Sequence, residues 1–408
     1  MSTGTGAARS APDSSVRGYR VTSIDVLRGL VLVIMVLDHA RDFFVAGTVQ
    51  NPMTDPNVTP LLFATRWITH FCAPVFVLLA GTSAGLMTAR KTPRELGLFL
   101  LKRGLWLIFI EWFVISTAWS FAPLGSAQAG GLIVIPLQVI WAIGACMVVL
   151  AGLQFLGARA CLVIGLAIML GHNALDAVWP AATASDHLDH PLWVALHARM
   201  SIDFGPYRIR FAYPLLPWLG IMACGFGIAD VFRMDPAKRD AWLLRGGLAL
   251  TFAFAFIRLI NVYGDPHPWH VQDRGAVATL MSFLNTEKYP PSLLYALMTL
   301  GPAAIACAYA ERWRGPLKDI LVTFGRVPFA FYVAHLYLLH LLAVGLGVLQ
   351  GFDARQFFAA SPAFPPGYGV PLPAVYLVWA AVVALLYPLC RWVCAVKARR
   401  GDWWLSYL

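Results

Sequence analysis

Residues 23–44 read SIDVLRGLVLVIMVLDHARDFF, an apolar run long enough to cross a bilayer, with charges at both ends and a histidine near the second. A charged side chain at the bilayer centre costs roughly 2.5–3.5 kcal/mol on insertion scales, so charges in such a run need a protein interior, a wet cavity or a function. His39 lies fourteen residues after Asp25, about 21 Å along a helix and within roughly 40° of the same face. This position makes His39 the candidate chemical centre.

The composition of the whole chain agrees with a membrane protein. Of 408 residues, 59% are hydrophobic and 13% charged, against about a quarter charged in soluble proteins. The sequence predicts an all-α, polytopic transmembrane helix bundle, with about ten spans at 23–44, 63–89, 99–121, 131–154, 160–179, 211–232, 243–263, 290–310, 319–346 and 371–395.

Basic residues indicate the orientation of these spans. They concentrate before the first span, between alternate spans and after the last one, so both termini are expected in the cytoplasm. The net charge of +10 then reflects topology, and no nucleic-acid partner is expected. We expect a disordered cytoplasmic N-terminus (1–19), one membrane domain (20–400) and a short cytoplasmic tail (401–408).

Seven cysteines fall almost entirely within apolar runs and show no paired metal-ligand spacing. They are interpreted as small core residues, and no metal site is expected.

Other polar residues lie inside predicted spans. Asp42, three residues after His39, can hold the imidazole in one tautomer. His70 and His335 are expected at a depth close to that of His39, and His70 can meet His39 on an antiparallel neighbour. Arg326 precedes Pro328 in the ninth span and suits a phosphate-bearing ligand. Each of these side chains can instead be structural, as a hydrogen-bonded histidine or a snorkelling arginine.

Four longer loops, 45–62, 180–210, 264–289 and 347–370, are predicted to form the external face. Lys288 and Tyr289, just before the eighth span, can line a sugar site there, although tyrosines are also common at membrane interfaces.

Several of these segments together resemble a bacterial family of multi-pass membrane proteins related to the catalytic domain of heparan-α-glucosaminide N-acetyltransferase. The resemblance covers roughly residues 20–400 and is carried by SIDVLRG (23–29), HFCAPVFVLLAGT (70–82), YPLLPWLG (213–220), 285–300 and 324–335. It implies an acyltransferase that takes an acetyl group from cytoplasmic acetyl-CoA and delivers it across the membrane to a sugar or glycan. It also implies membrane lipid as surroundings, a bacterial inner (plasma) membrane location and a possible homodimer.

The chain departs from the lysosomal enzyme of that family. That enzyme has its proposed active histidine between the first two helices, where residues 45–62 here contain no histidine. By position, His39 replaces an asparagine and His70 an aspartate. Membrane acyltransferases of bacterial surface polysaccharides, by analogy, have a histidine toward the end of the first helix, as here.

The expected catalytic residues are therefore His39 as general base, Asp42 to orient it, and His70 or Arg41 to stabilise the oxyanion. A covalent acetyl-histidine is the open alternative. The candidate substrate or coenzyme contacts are Asp25, Arg28, Arg41, Lys288, Tyr289, Arg326 and His335. A proton-coupled transporter of a small solute is the rival function, because intramembrane Asp, His and Arg also build proton relays.

Overall fold

The computed structural model describes residues 21–47, 55, 58–125, 130–178, 191–359, 364–400, 402 and 405. The expected N-terminal segment (1–19) and most of the tail (401–408) lie outside these residues. The protein is 74% helical with almost no strand, which confirms the predicted all-α bundle.

The described part of the chain contains sixteen α-helices and three strands, besides short 3₁₀ segments and a π turn. The helices are α1 (Thr22–Phe44), α2 (Pro60–Ile68), α3 (Cys72–Met87), α4 (Pro93–Ile110), α5 (Ser116–Ser120), α6 (Val139–Leu153), α7 (Ala158–Gly171), α8 (Leu175–Val178), α9 (Pro191–Leu196), α10 (Leu215–Gly227), α11 (Pro236–Ile260), α12 (Ala276–Leu284), α13 (Leu293–Ala310), α14 (Pro316–Arg326), α15 (Pro328–Leu349) and α16 (Leu372–Arg399). The strands are β1 (Ile133–Leu137), β2 (Ser201–Phe204) and β3 (Tyr207–Phe211).

Eight helical segments among the described residues are long and apolar enough to cross a membrane. They coincide with eight predicted spans and are Pro60–Met87, Val139–Leu156, Ala158–Ala177, Leu215–Arg233, Pro236–Ile260, Leu293–Ala310, Pro328–Leu349 and Leu372–Arg399. The two other predicted spans coincide with α1 and with α4–α5, which a π turn at Glu111–Ile115 joins. These two carry charged side chains inside their apolar runs. The cytoplasmic location of both termini stays a prediction.

Two predicted spans differ in detail from the structure. The run at 131–154 begins as β1, in a small sheet of order β1–β3–β2, because β1 pairs in parallel with β3. Helix α6 starts only at Val139, where the buried Glu111 carboxylate accepts hydrogen bonds from the N–H groups of Gln138 (3.3 Å) and Trp141 (2.9 Å). This carboxylate satisfies donors that the first turn of a helix leaves unpaired.

The run at 319–346 is divided in two at Val327. This residue has φ −132° and ψ 50°, outside the helical region, and Pro328 is the first residue of α15. Proline lacks the N–H that would continue α14 but fits the first position of a new helix.

Glycines allow the helices around the first span to approach closely. A Cβ at Gly29 would collide with the carbonyl of Leu321, and one at Gly325 with the carbonyl of Asp25, where α1 packs on α14. Gly81 likewise lies against the carbonyl of Met222, where α3 packs on α10. These contacts fix α1 among its neighbours, and α1 carries the site.

Candidate active site

Two histidines from different helices form a pair in the core. His39 Nδ1 on α1 lies 2.7 Å from His335 Nε2 on α15, and the rings stack with centroids 4.9 Å apart. Both residues are buried, at 8% and 0% exposure. The structure thus joins His39 to His335, whereas His70 contacts Arg66 and Tyr295.

The hydrogen bonds of the pair fix its tautomers when both rings are neutral. His335 Nδ1 lies 3.1 Å from the Phe331 carbonyl, which can only accept, so His335 carries its proton on Nδ1. His335 Nε2 is then an acceptor, and His39 must donate from Nδ1. This arrangement leaves the lone pair of His39 on Nε2, which has no hydrogen-bond partner among the described residues. A buried imidazole with a free lone pair can accept a proton.

Aromatic rings enclose the pair. Trp119 on α5 lies edge-on to His39 with ring centroids 5.0 Å apart. Tyr332, one turn before His335 on α15, has its centroid 6.4 Å from that of His39 and 5.3 Å from that of His335. The rings exclude bulk water from most of the site, which strengthens electrostatic interactions there.

The carboxylate beside His39 in the sequence holds two arginines. Asp38 accepts hydrogen bonds from Arg66 Nη1 at 2.6 Å to both carboxylate oxygens, and Arg41 Nη2 lies 3.1 Å from Asp38 Oδ1. All three residues are largely buried. Charges enclosed in this way are tolerated because they pair with one another.

Asp42 does not occupy the position predicted for it. Its carboxylate pairs with Arg41, and it is His335 that engages Nδ1 of His39. Helix α15 brings the His335 imidazole directly against the His39 ring. Asp42, on the same helix as His39, pairs with Arg41 instead. The orienting group of His39 is therefore His335.

His70 is buried in a short 3₁₀ segment, Thr69–Phe71, between α2 and α3. Its Nδ1 lies 2.9 Å from the Arg66 carbonyl, and its own carbonyl accepts a hydrogen bond of 2.7 Å from the Tyr295 hydroxyl. These bonds fix the bend between the two helices, so they support the structural interpretation of His70.

A cavity of about 280 Å³ adjoins the histidine pair through Tyr332, and neither His39 nor His335 is among its lining residues. Two arginines, Arg28 and Arg103, lie in its wall, together with Ser83. Tyr332 lines it near the pair, as does Met35, one helical turn before His39 on α1. The rest of the lining is mainly apolar: Leu32, Phe76, Ala80, Ala84, Met87, Phe99, Leu100, Leu107, Val139, Ile140, Ile143, Met147, Pro328 and Phe329.

Arg28 and Asp25 lie together near the start of α1. Arg28 donates hydrogen bonds to Ser83 Oγ (3.1 Å) and to the Gly325 carbonyl (3.4 Å), and its Nη1 lies 3.6 Å from Asp25. Asp25 therefore helps to hold Arg28 and is not among the cavity-lining residues.

Arg326 lies elsewhere. The break at Val327 makes it the last residue of α14, where it is exposed and outside the cavity lining. The predicted break before Pro328 is present, and the predicted phosphate contact of Arg326 stays a prediction, separate from the cavity. Arg103, on α4, is the second cation of the cavity.

Lys288 and Tyr289, in the loop before α13, lie near the C-terminal end of α1. Lys288 is buried, and its charge acts on Asp38 and His39. Its Nζ lies 5.1 Å from the Tyr289 ring centroid. Burial raises the pKa of Tyr289, but the charges of Lys288, Arg66 and Arg199 outweigh it and lower that pKa to about 8.

Several residues of the site were not predicted from the sequence, namely Asp38, Arg66, Trp119 and Tyr332. The spacing of Asp38 and Arg41, three apart on α1, was the one signal available, because such residues share a helix face. Partners from α2, α5 and α15 depend on the tertiary fold. In the described part of the chain, no group of three or more His, Cys, Asp and Glu side chains is arranged to hold a metal ion.

Residues 20–258 match the family model described as heparan-alpha-glucosaminide N-acetyltransferase, catalytic. The match includes α1, the bend at His70, and the cavity residues of α3, α4 and α6. A search among curated proteins gave no significant match.

Proposed function

Because this chain belongs to the heparan-alpha-glucosaminide N-acetyltransferase catalytic family, and so to the membrane acetyltransferases, we propose that it moves an acetyl group from acetyl-CoA to a sugar across the membrane. The observation that carries the proposal is the His39–His335 pair, which Tyr332 separates from a cavity with basic residues in its wall. The bacterial inner membrane is the proposed location, with the sugar or glycan bound on the outer side.

The cavity suits the donor. Its volume, about 280 Å³, lies near the lower end of the roughly 300–1,000 Å³ typical of small-molecule sites. This space accommodates an acylated pantetheine arm while the nucleotide stays outside. Arg28 and Arg103 provide guanidinium groups for the phosphates, and the apolar wall accepts the arm.

His39 supplies the base. The amine or hydroxyl of the sugar attacks the thioester carbonyl, its proton passes to His39 Nε2, and the carbon–sulfur bond breaks as the new carbon–nitrogen or carbon–oxygen bond forms. The proton on His39 then moves to the departing thiolate, which restores the neutral imidazole. His335 accepts from His39 Nδ1 throughout, which keeps Nε2 directed to the reaction and stabilises the transient imidazolium.

The test is transfer of label from radiolabelled acetyl-CoA to sugars, with purified protein in proteoliposomes and coenzyme A release as a second readout. We expect His39→Ala to lower kcat by about 10²–10⁴-fold, the contribution of general acid–base catalysis. His270→Ala is the matched control, since His270 is exposed on a loop and far in sequence from His39 and His335. Full activity of His39→Ala would overturn the proposed role. Uptake of unmodified sugar without coenzyme A release would favour the transporter instead.

A further inference from the structure

The region that follows His39 along α1, away from the cavity, is rich in positive charge. Arg41 and Arg66 lie in this region, and each pairs with an aspartate. The buried Lys288 lies there too. Arg199, which precedes β2, has its guanidinium carbon 4.4 Å from the Tyr289 ring centroid. Two cations, Lys288 and Arg199, therefore contact one tyrosine ring.

The aspartates do not balance these charges. Asp38 binds Arg66 and Arg41, and Asp42 also binds Arg41. Neither Lys288 nor Arg199 forms an ion pair with a carboxylate in the described ranges. A buried ammonium without a counter-ion is unfavourable in a protein interior, so the protein retains Lys288 against a cost.

A second observation is independent of this charge excess. Nη1 of Arg41, a residue only 4% exposed, is buried and has no hydrogen-bond acceptor among the described residues. Unpaired buried donors are rare in native proteins, and each needs an explanation; an acceptor atom of a bound ligand would provide one for Arg41. The charges of Arg41 and Lys288 both act on His39, so an anion held by these two side chains would lie within electrostatic range of that imidazole.

We propose that the acceptor sugar is anionic, and that Lys288 and Arg199 bind its phosphate or carboxylate above Tyr289, with Arg41 Nη1 as a further donor. The inference rests on the proposed function and names the substrate class of the same site. Guanidinium and ammonium groups recognise phosphate and carboxylate oxygens through charge-assisted hydrogen bonds. The tyrosine ring provides an apolar face against which a sugar ring can pack.

The same chemistry can come from two sources, a soluble acidic sugar or a sugar phosphate attached to a lipid. Both present a localised negative charge, so the site alone does not separate them. The experiment therefore includes both, as glucosamine 6-phosphate and as a polyprenyl-phosphate-linked glucosamine in nanodiscs. Free glucosamine is the neutral comparison.

Binding is measured first, without acetyl-CoA, as the rise in thermal unfolding temperature of the purified protein on addition of each sugar. We expect an anionic probe, but not glucosamine, to stabilise the parent protein. Lys288→Met should weaken binding of that probe by about tenfold, the usual effect of a lost charged hydrogen bond. Lys288→Arg should largely restore it, which guards against a merely misfolded variant. Arg274→Gln, an exposed cation on an external loop, is the matched control.

Transfer is measured second, with KM and kcat for each acceptor. Lys288→Met should raise KM for the anionic acceptor and leave KM for acetyl-CoA unchanged. Equal KM values for charged and neutral acceptors, or stabilisation that Lys288→Met does not reduce, would overturn the inference while leaving acetyl transfer intact. Lys288-dependent binding without any transfer would support the anion site and count against the proposed function.

Discussion

His39 Nδ1 and His335 Nε2 are 2.7 Å apart, and the ring of His335 is in turn fixed by the Phe331 carbonyl. The series of hydrogen bonds from the Phe331 carbonyl through His335 to His39 resembles the arrangement in which a second group orients a catalytic imidazole. Here that second group is an imidazole in place of the more common carboxylate. The group that contacts His39 Nδ1 is therefore neutral. Asp38 is free to hold Arg66 and Arg41 instead.

Replacing His335 tests this positioning role. We expect His335→Leu to lower kcat by less than His39→Ala does, with little change in KM for acetyl-CoA, because His39 remains but loses its orientation. His335→Gln, whose amide oxygen can accept from His39 Nδ1, should recover part of the rate. The measurement is kcat against pH for both variants. A merely structural role would instead give equal losses in the two variants and an unchanged pH profile.

The Asp38–Arg66 pair should be essential to stability. Asp38→Asn removes the charge that Arg66 and Arg41 share, and loss of one partner of a buried pair costs about 3–5 kcal/mol. Arg66→Met should have a similar effect. The double variant should lose less than the sum of the two, because no isolated charge remains from that pair. Thermal unfolding in detergent measures all three, and additive losses would contradict the coupling.

Arg103 should contribute to donor binding through the nucleotide part. We expect Arg103→Gln to raise KM for acetyl-CoA by about tenfold, as for one charged hydrogen bond. Acetyl-pantetheine, which lacks the nucleotide phosphates, should show no such increase. Lys238→Gln, exposed at the start of α11, is the charge-matched control. Equal effects on both donors would show that Arg103 acts on the shape of the cavity and not on the phosphates.

The helical spans and the central position of His39 could be predicted because apolar length and intramembrane charge are properties of single segments. The partners of His39 could not, because α15 and α5 are distant in sequence and only packing brings His335 and Trp119 to it. Asp42 was predicted to orient His39 from its spacing on the same helix, whereas the contact with His39 Nδ1 comes from another helix.

Arg258 illustrates the same limit outside the site. It is fully buried near the end of α11 and donates to the carbonyls of Phe283, His267, Ser282 and Asn285. No side-chain pattern in the sequence indicates a cation that binds backbone oxygens of a following loop. Backbone acceptors exist at every residue, so their use depends on how the loop folds back.

His267 and Glu287, which lie outside the spans in the segment between α11 and α13, should make the stability of the protein depend on pH. Their side chains lie 3.3 Å apart, and the hydrogen bond to Glu287 raises the pKa of His267. A raised folded-state pKa stabilises the protein below the unfolded value, near 6.5, and that stabilisation disappears as the pH rises through the folded value. His267→Gln should therefore lower the unfolding temperature at pH 5.5 more than at pH 8.5. An equal shift of the unfolding temperature at both pH values would exclude this ion pair as the cause of the pH dependence.

The contact of α1 with α14 should tolerate no added side chain. A methyl group at Gly325 would collide with the Asp25 carbonyl, and backbone at a helix crossing cannot move aside as a flexible side chain can. Gly325→Ala should therefore destabilise the protein by about 1–3 kcal/mol or more. It should also displace Arg28, which donates to the Gly325 carbonyl, and so raise KM for acetyl-CoA. Gly345→Ala on α15 is the control, because no atom lies within contact distance of the added Cβ, and helix propensity favours alanine there by about 1 kcal/mol. If Gly325→Ala unfolds at the temperature of the parent protein or above it, the crossing is looser than the structure indicates and α14 does not position the first helix.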